Sequence, residues 1–224
     1  MLAAGKRLWL AVADAPLNRY GEETINRKLS DLDWVSRAAI AHEAVVESFI
    51  DERAVLPMKL FTIFTSDDRA VEQVSGDKRR VDAIVKRVAN QIEWGVRVTL
   101  LPPRAKPVGD RRAKPFPKTT SGAGYLSQKK AQRDATVELA ERARETVIAL
   151  YDRLSSRSRL ARRRSASELP VKGGPLLLDA AFLVPRARAT AFRALVAREA
   201  RRLEPLGYQI AVSGPWPPYT FVKD

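Results

Sequence analysis

The chain has 224 residues, which is long enough for one large or two small hydrophobic cores, and we expect two domains because single domains usually hold about 100–200 residues. It contains no cysteine, which excludes disulfides, thiolate metal sites and cysteine nucleophiles and favours a reducing, cytoplasmic setting. The net charge of +14 lies in the second half. Residues 1–100 carry 15 basic and 15 acidic side chains, whereas residues 101–224 carry 25 basic and 11 acidic ones. We therefore expect the second half to attract anionic partners.

The first half (residues 1–91) is predicted to be a smaller α+β sandwich. Strands are expected at 8–13, 34–41 and 55–65, the last because of its β-branched and aromatic content. Helices are expected at 22–32, at 42–52 and from Asp67 onward with a restart after Gly76, because apolar residues recur there at helical spacing. No stretch is long enough for a membrane helix, so we expect a soluble protein that does not bind membranes.

The second half (residues 92–224) is predicted to be a ferredoxin-like domain, an antiparallel sheet with helices on one face. Alternating apolar residues predict a strand at 92–100, and a long helix is expected at about 121–154. Residues 128–133 of this helix are polar and basic on every side, so they should project beyond the core. A possible edge strand at 157–165, a buried strand at 176–184, a helix ending near Leu203 and a strand at 208–213 complete the order.

Two segments of the second half are expected to lie outside regular structure. Residues 101–120 are basic and rich in proline, which predicts a mobile loop. Residues 214–222 contain three prolines in four positions, which should end the last strand at Gly214. The rigid backbone that follows is expected to present Trp216, Tyr219 and Phe221 as an aromatic strip, which packs on the chain's own sheet or meets a partner.

No pattern typical of an enzyme is present. The sequence has no phosphate-binding glycine loop, no paired histidines at metal spacing and no dinucleotide motif. His42 is the only histidine, and a lone histidine that opens a helix is more often structural than catalytic. Asp31, Asp33, Asp67 and Asp68 suit helix caps better than cation sites. We therefore expect no enzymatic activity, no cofactor and no metal.

Nucleic acid is an alternative partner for the basic half. The candidate phosphate contacts are three groups of basic residues: Arg162, Arg163 and Arg164; Lys129, Lys130 and Arg133; and the loop at 104–118. The predicted sheet lacks the aromatic pair that RNA-binding ferredoxin-like sheets carry, and no helix-turn-helix spacing is present. A further interpretation is a solvated basic face that keeps the protein soluble. We therefore expect a protein partner and regard nucleic-acid binding as the weaker hypothesis.

Several stretches resemble the GvpL/GvpF family of gas vesicle proteins in sequence, order and spacing. They are His42-Glu43-Ala44-Val45, Val55-Leu56-Pro57-Met58-Lys59-Leu60-Phe61-Thr62, Trp94-Gly95-Val96-Arg97-Val98, Ala180-Ala181-Phe182-Leu183-Val184 and residues 214–222. The resemblance implies two α+β domains and a non-enzymatic, cytoplasmic, accessory or minor structural protein of gas vesicles. It also implies binding to the small hydrophobic shell subunit and to other gas vesicle proteins during assembly.

The resemblance assigns candidate contacts for the shell subunit to the second domain. We expect these contacts to include Trp216, Tyr219 and Phe221, with Arg162, Arg163, Arg164, Lys129, Lys130 and Arg133 as electrostatic partners. The alternative interpretation is that Trp216 and Tyr219 hold the closing segment onto its own domain.

Overall fold

The computed structural model describes residues 1–101, 122–164 and 174–222. These residues form two compact units, one of Met1–Glu93 with Pro215–Asp224 and the other of Trp94–Gly214. Residues 215–222, which we call the closing segment, thus belong to the first unit, whereas they were predicted to belong to the second domain. Helices combined with antiparallel strand pairs confirm an α+β fold. Within the described ranges, no helix is both long and apolar enough to cross a membrane.

The described part of the first unit contains a two-stranded hairpin and five helices. β1 (Leu2–Gly5) pairs antiparallel with β2 (Leu8–Leu10). The helices are α1 (Leu17–Tyr20), α2 (Glu22–Lys28), α3 (Leu32–Ser48), α4 (Asp67–Gly76) and α5 (Lys78–Val88). The predicted interruption of the helix near Gly76 is confirmed. Side chains from α3, α4 and α5 form the core of the unit together with Phe221.

The predicted strand at 34–41 is wrong, because these residues form the first half of α3. Asp31 caps the helix, since its Oδ1 accepts a hydrogen bond from the Trp34 backbone N–H at 3.0 Å. Asp33 lies in the first turn, where a negative charge is favourable. The segment also contains three alanines, the strongest helix formers, and these local preferences exceed those of its two β-branched residues. The predicted capping role of Asp31 is confirmed.

The predicted strand at 55–65 is also wrong, because the chain turns there. The backbone N–H and the Oγ1 of Thr62 both donate to the Lys59 carbonyl oxygen, at 3.1 Å and 2.7 Å. Phe61 has a φ of 62°, in the left-handed region that non-glycine residues rarely adopt. Its ring stacks on Trp34 with the centroids 5.0 Å apart. The aromatic residue that suggested a strand therefore attaches a turn to α3.

The second unit contains most of a four-stranded sheet with the order β4-β5-β3-β6. The strands are β3 (Gln91–Leu100), β4 (Leu160–Arg163), β5 (Leu176–Pro185) and β6 (Tyr208–Trp216), and the helices are α6 (Gly122–Ser155) and α7 (Ala189–Leu203). All of these elements were predicted at these places, including the short edge strand β4. The predicted loop at 101–120 lies outside the described residues except for Leu101.

The end of β6 differs from its prediction. The strand continues past Gly214 and Pro215 to Trp216. β6 lies at the edge of the sheet, where one side of the backbone has no neighbouring strand in the described structure. A proline is accepted at an edge because its missing N–H can face away from the ladder. The turn into β6 is made by Gly207, whose φ of 88° favours glycine.

Aromatic rings connect one face of the sheet to the helices of the second unit. Phe182 on β5 lies 5.7 Å from Tyr151 on α6 and 5.6 Å from Phe192 on α7, measured between ring centroids. Trp94 on β3 lies 6.5 Å from the Phe192 ring. Because side chains alternate along a strand, Gly95 and Arg97, which lie one and three residues after Trp94, are on the opposite face. The helices therefore cover the face that carries Trp94 and Phe182.

A buried carboxylate connects the two helices. Glu199 on α7 is buried, and its Oε1 and Oε2 accept hydrogen bonds from Arg153 on α6 at 2.8 Å and from Arg202 at 2.9 Å. Burial by itself raises the pKa of Glu199, but the hydrogen bonds and charges of both arginines exceed that effect and lower the pKa below its ordinary value of 4.5. Glu199 is therefore ionised at neutral pH.

Replacement of Glu199 by Gln is expected to lower the free energy of unfolding by about 1–3 kcal/mol at neutral pH, because charge-assisted hydrogen bonds are lost. Because the folded-state pKa is depressed, this contribution is fully present above the unfolded value of 4.5 and is lost as the pH falls through the folded value. Urea denaturation across this range measures the difference between wild type and variant. A difference that does not shrink in acid contradicts the assignment, and Glu204→Gln, at an exposed position, is the control.

Candidate partner-binding surfaces

The closing segment is fastened to the first unit by two sets of hydrogen bonds. The backbone N–H and the Oγ1 of Thr220 donate to the two carboxylate oxygens of Glu93 at 2.7 Å and 2.6 Å. Arg87 Nη1 donates to the Phe221 carbonyl oxygen at 3.1 Å. The Phe221 ring is fully buried, which removes it from the protein surface. For Phe221, packing within its own unit is therefore the role that the structure shows.

Tyr219 and Trp216 are both half-buried. The Tyr219 hydroxyl is buried and has no hydrogen-bond partner in the described parts of the chain. Burial, together with the carboxylates of Glu43, Glu47 and Glu93, raises the pKa of Tyr219 to about 12, so the side chain is neutral at physiological pH. The three predicted aromatic contacts thus do not form one exposed strip, because one ring lies in the core and two are partly covered.

The three consecutive arginines at the end of β4 differ in their surroundings. Arg164 Nη2 lies 2.8 Å from Asp179 Oδ1, and Arg97 Nε lies 3.1 Å from Asp179 Oδ2. The Asp179 side chain is only 5% exposed, so these two arginines balance a buried charge. Gly95 leaves space for this arrangement, because a Cβ at that position would lie 3.0 Å from Arg164 Nη2. Arg164 is therefore part of the protein's internal structure.

Arg162 and Arg163 remain at the surface, on opposite faces of β4. The Arg163 guanidinium lies 4.5 Å from the centroid of the Tyr151 ring, a cation–π contact that places it on the helix-covered face. The register of β4 with β5 agrees, since Arg163 pairs with Ala180 and Arg162 with Ala181. The structure therefore separates the predicted cluster of three arginines, since Arg164 is half-buried against Asp179 and the other two are exposed.

The first half of α6 is exposed to solvent. Every described side chain from Leu126 to Arg142 is exposed, and Ala143 is the first buried one. The helix has 34 residues, or about 51 Å at 1.5 Å per residue. Lys129, Lys130 and Arg133 lie on this exposed half. The predicted projection of residues 128–133 beyond the core is confirmed.

An apolar groove lies where α6 meets the sheet of the second unit. It has a volume of about 470 Å³ and is lined by Leu139, Ala140, Ala143, Arg144, Val147 and Ile148 from α6 and by Leu100, Arg163, Pro175, Leu176 and Leu177 from the sheet side. We call it the α6–β5 groove. Among the described residues that line it, the charged ones are Arg144 and Arg163. This groove was not predicted from the sequence. The available signal was the pair Leu139 and Ile148, which are apolar yet lie outside the line of buried residues on α6.

His42 has a local structural contact. Its Nε2 lies 3.1 Å from the Met58 carbonyl oxygen, which ties α3 to the segment that follows it. Among the residues with described positions, no group of three or more His, Cys, Asp or Glu side chains is arranged to hold a metal ion.

Comparisons with known proteins point to one family. The profile of the family described as "Gas vesicle synthesis protein GvpL/GvpF" matches residues 2–223. The chain is 31% identical over 210 residues to "Gas vesicle protein L" of Streptomyces sp. strain CB03234, a match that covers 92% of this chain and 76% of that protein.

Two solved structures share the fold. They are the crystal structures of the gas vesicle protein GvpF from Anabaena sp. PCC7120, with a TM-score of 0.60 and 17% identity, and from Microcystis aeruginosa, with a TM-score of 0.58 and 16% identity. Each match covers 84% of this chain and 78% of the other. At these identities the likeness concerns the fold alone.

Replacement of Tyr219 by Phe is expected to leave the stability at neutral pH unchanged or slightly higher, because the deleted hydroxyl is buried without a hydrogen-bond partner among the described residues. The folded-state pKa of about 12 exceeds the ordinary value of 10.0. Ionisation of the hydroxyl therefore disfavours the folded state: wild-type stability is unaffected below pH 10.0 and falls as the pH rises from 10.0 through about 12. The variant has no ionisable hydroxyl at this position and should lose less stability over that range. Denaturant titrations at alkaline pH measure this difference. A variant that is destabilised at neutral pH contradicts the expectation.

Replacement of Phe221 by Ala is expected to destabilise the first unit by about 3–5 kcal/mol, because a fully buried ring leaves a cavity in the core. Thermal or urea denaturation of the full chain measures the loss. Val222→Ala, one residue away and half-buried, is the control and should have a much smaller effect. Equal stability of the Phe221→Ala variant and wild type would show that the closing segment is not fastened as described.

Proposed function

Because the chain belongs to the GvpL/GvpF family of gas vesicle synthesis proteins, we propose that it is an accessory or minor structural protein that binds the small hydrophobic shell subunit and supports gas vesicle assembly. The observation that carries this proposal is the match of the family profile across residues 2–223. The protein acts in the cytoplasm at the vesicle, with other gas vesicle proteins as partners. It acts through binding, without catalysis and without a cofactor.

Binding to the shell subunit has a physical reason. A small and very hydrophobic subunit exposes apolar surface before it is assembled, and contiguous apolar patches of this kind aggregate. A partner protein that covers the apolar surface prevents this. The exposed half of α6 and the α6–β5 groove supply apolar side chains for such a contact, with Leu126, Val137 and Leu139 exposed on one helix. The surrounding positive charge favours one orientation of the partner.

Among the predicted contact residues, the exposed basic side chains are best placed for a partner. Lys129, Lys130 and Arg133 lie on the projecting half of α6, and Arg162 and Arg163 lie at the surface of β4. We propose these five as electrostatic contacts and Trp216 and Tyr219, both half-buried, as aromatic ones. Arg164 and Phe221 have internal partners, so we assign them to the stability of the protein.

We also propose that the second unit is a ferredoxin-like domain. Its elements follow the order strand, helix, strand, strand, helix, strand from β3 to β6. The strand order β4-β5-β3-β6 and the antiparallel pairing of β4 with β5 support this assignment. The helices cover one face, as the contacts of Phe182 and Trp94 indicate.

The face of the sheet opposite the helices gives no support to nucleic acid as the partner. On that face β3 carries Gly95, Arg97 and Thr99, and β5 carries Asp179 and Ala181. None of these five residues is aromatic, whereas RNA-binding sheets of this type stack bases on aromatic rings of the central strands. Arg97 on this face is already paired with Asp179.

Co-expression of the tagged full chain with the shell subunit of the same organism tests the proposal. We expect the shell subunit to stay in solution and to co-purify with the tag. The triple variant Lys129→Glu, Lys130→Glu and Arg133→Glu is expected to retain several-fold less shell subunit, because attractive charges become repulsive. The matched control is Arg193→Glu, Arg198→Glu and Arg201→Glu, which makes the same charge change at exposed positions of α7.

The outcomes separate function from site. Failure of the wild-type chain to retain the shell subunit contradicts the proposed function. Equal loss of binding in both triple variants shows that net charge matters rather than the position on α6. A Trp216→Ala variant that remains folded and binds as well as wild type removes Trp216 from the interface.

A further inference from the structure

We propose that the α6–β5 groove binds an apolar segment of the shell subunit whose flanking carboxylates pair with Arg144 and Arg163. The inference rests on the proposed function, since it names the place of binding and the chemistry of the segment. Four features of the second unit support it. The groove has an exposed apolar lining and two arginines without carboxylate partners among the described residues, both features continue along α6, and the unit as a whole is strongly basic.

The apolar lining of the groove is accessible. Leu139 is 53% exposed and Ile148 is 38% exposed, although both side chains line the groove. They stand beside Ala143 and Val147, which are buried against the sheet. Covering apolar surface of this kind contributes about 25 cal/mol per Å². A bound apolar segment would therefore extend the core of the unit by one layer.

The charges of the groove are not balanced by any carboxylate whose position the structure describes. Arg144 and Arg163 make no ion pair with any carboxylate in residues 1–101, 122–164 or 174–222. The Arg163 guanidinium contacts the Tyr151 ring at 4.5 Å from its centroid, which favours this position of the side chain. A guanidinium beside an apolar surface pairs strongly with a carboxylate, because the contact excludes water. These two arginines therefore favour an apolar segment that carries negative charge.

The same combination continues along α6 beyond the groove. Toward its N-terminus the exposed half of the helix presents Leu126 and Val137 together with Lys130 and Arg133. At 3.6 residues per turn these four side chains lie along one side of the helix, in line with Arg144 and Ile148. A segment bound in the groove can therefore extend along the helix and meet further apolar and basic side chains.

The charge of the second unit argues against a second copy of the same chain as the occupant. The unit, residues 94–214, carries 25 basic and 10 acidic side chains. Two copies that met at this surface would bring Lys130, Arg133, Arg144 and Arg163 of both chains together, and like charges across an interface are unfavourable. An acidic or acid-flanked apolar partner has no such penalty.

Two pairs of substitutions at exposed positions test the groove in the full chain. Leu139→Ser with Ile148→Ser removes apolar contacts, and Arg144→Glu with Arg163→Glu reverses the charge. Arg144→Glu alone is also made, because Arg163→Glu disturbs the contact with Tyr151. Each variant is expected to retain about tenfold less co-expressed shell subunit than wild type, which corresponds to about 1.4 kcal/mol. The control pair Arg193→Glu with Arg198→Glu on α7 should stay within about twofold of wild type.

The result distinguishes this inference from the proposed function. If wild type binds the shell subunit and the folded groove variants bind it equally well, the groove is not the site and the function stands. If wild type does not bind the shell subunit, both fail. Light scattering tests whether a second copy of the chain occupies the groove instead. A wild-type dimer that becomes monomeric in the groove variants would assign the groove to that second copy and overturn the inference.

Discussion

Two buried carboxylates, each hydrogen-bonded to two arginines, connect the strands and helices of the second unit. Asp179 connects β5 to Arg97 of β3 and to Arg164 at the end of β4, and Glu199 connects α7 to α6 through Arg153. Loss of either arginine weakens the compensation of a buried negative charge and is therefore destabilising. The excess of arginine in this half of the chain thus has two uses. Arg97, Arg153, Arg164 and Arg202 pair with the two carboxylates, whereas Arg144 and Arg163 are exposed and pair with no carboxylate in the described parts of the chain.

The fold of the second half was readable from the sequence because its periodicities are long and regular. Nine alternating residues, 92–100, predicted β3, and the spacing of apolar residues predicted α6 and α7. In the first half the signals are short and equivocal. Trp34 and Phe61 both suggested strands, but they stack on each other as a helix and a turn, which is a contact between residues 27 positions apart. Tertiary contacts of this kind are not expressed in local periodicity.

The candidate site was predictable only in its simplest property, exposure. Because residues 128–133 have no apolar face, projection of this part of α6 followed directly from the sequence. The different surroundings of Arg162, Arg163 and Arg164 were not predicted, although the alternation of side chains along a strand already implies that consecutive residues face opposite sides. The α6–β5 groove could not be predicted from local sequence patterns, because its lining combines α6 with Leu100 and Leu176, which lie far from α6 in sequence.

The first unit is built from two chain segments that are far apart in sequence, which has a consequence for the order of folding during synthesis. Residues 94–214 form a continuous stretch, so the second unit has all its residues available once Gly214 has left the ribosome. The first unit begins earlier but requires Phe221, which is translated after the whole of the second unit. The earliest part of the nascent chain therefore waits, with an incomplete core, for the polypeptide that follows it.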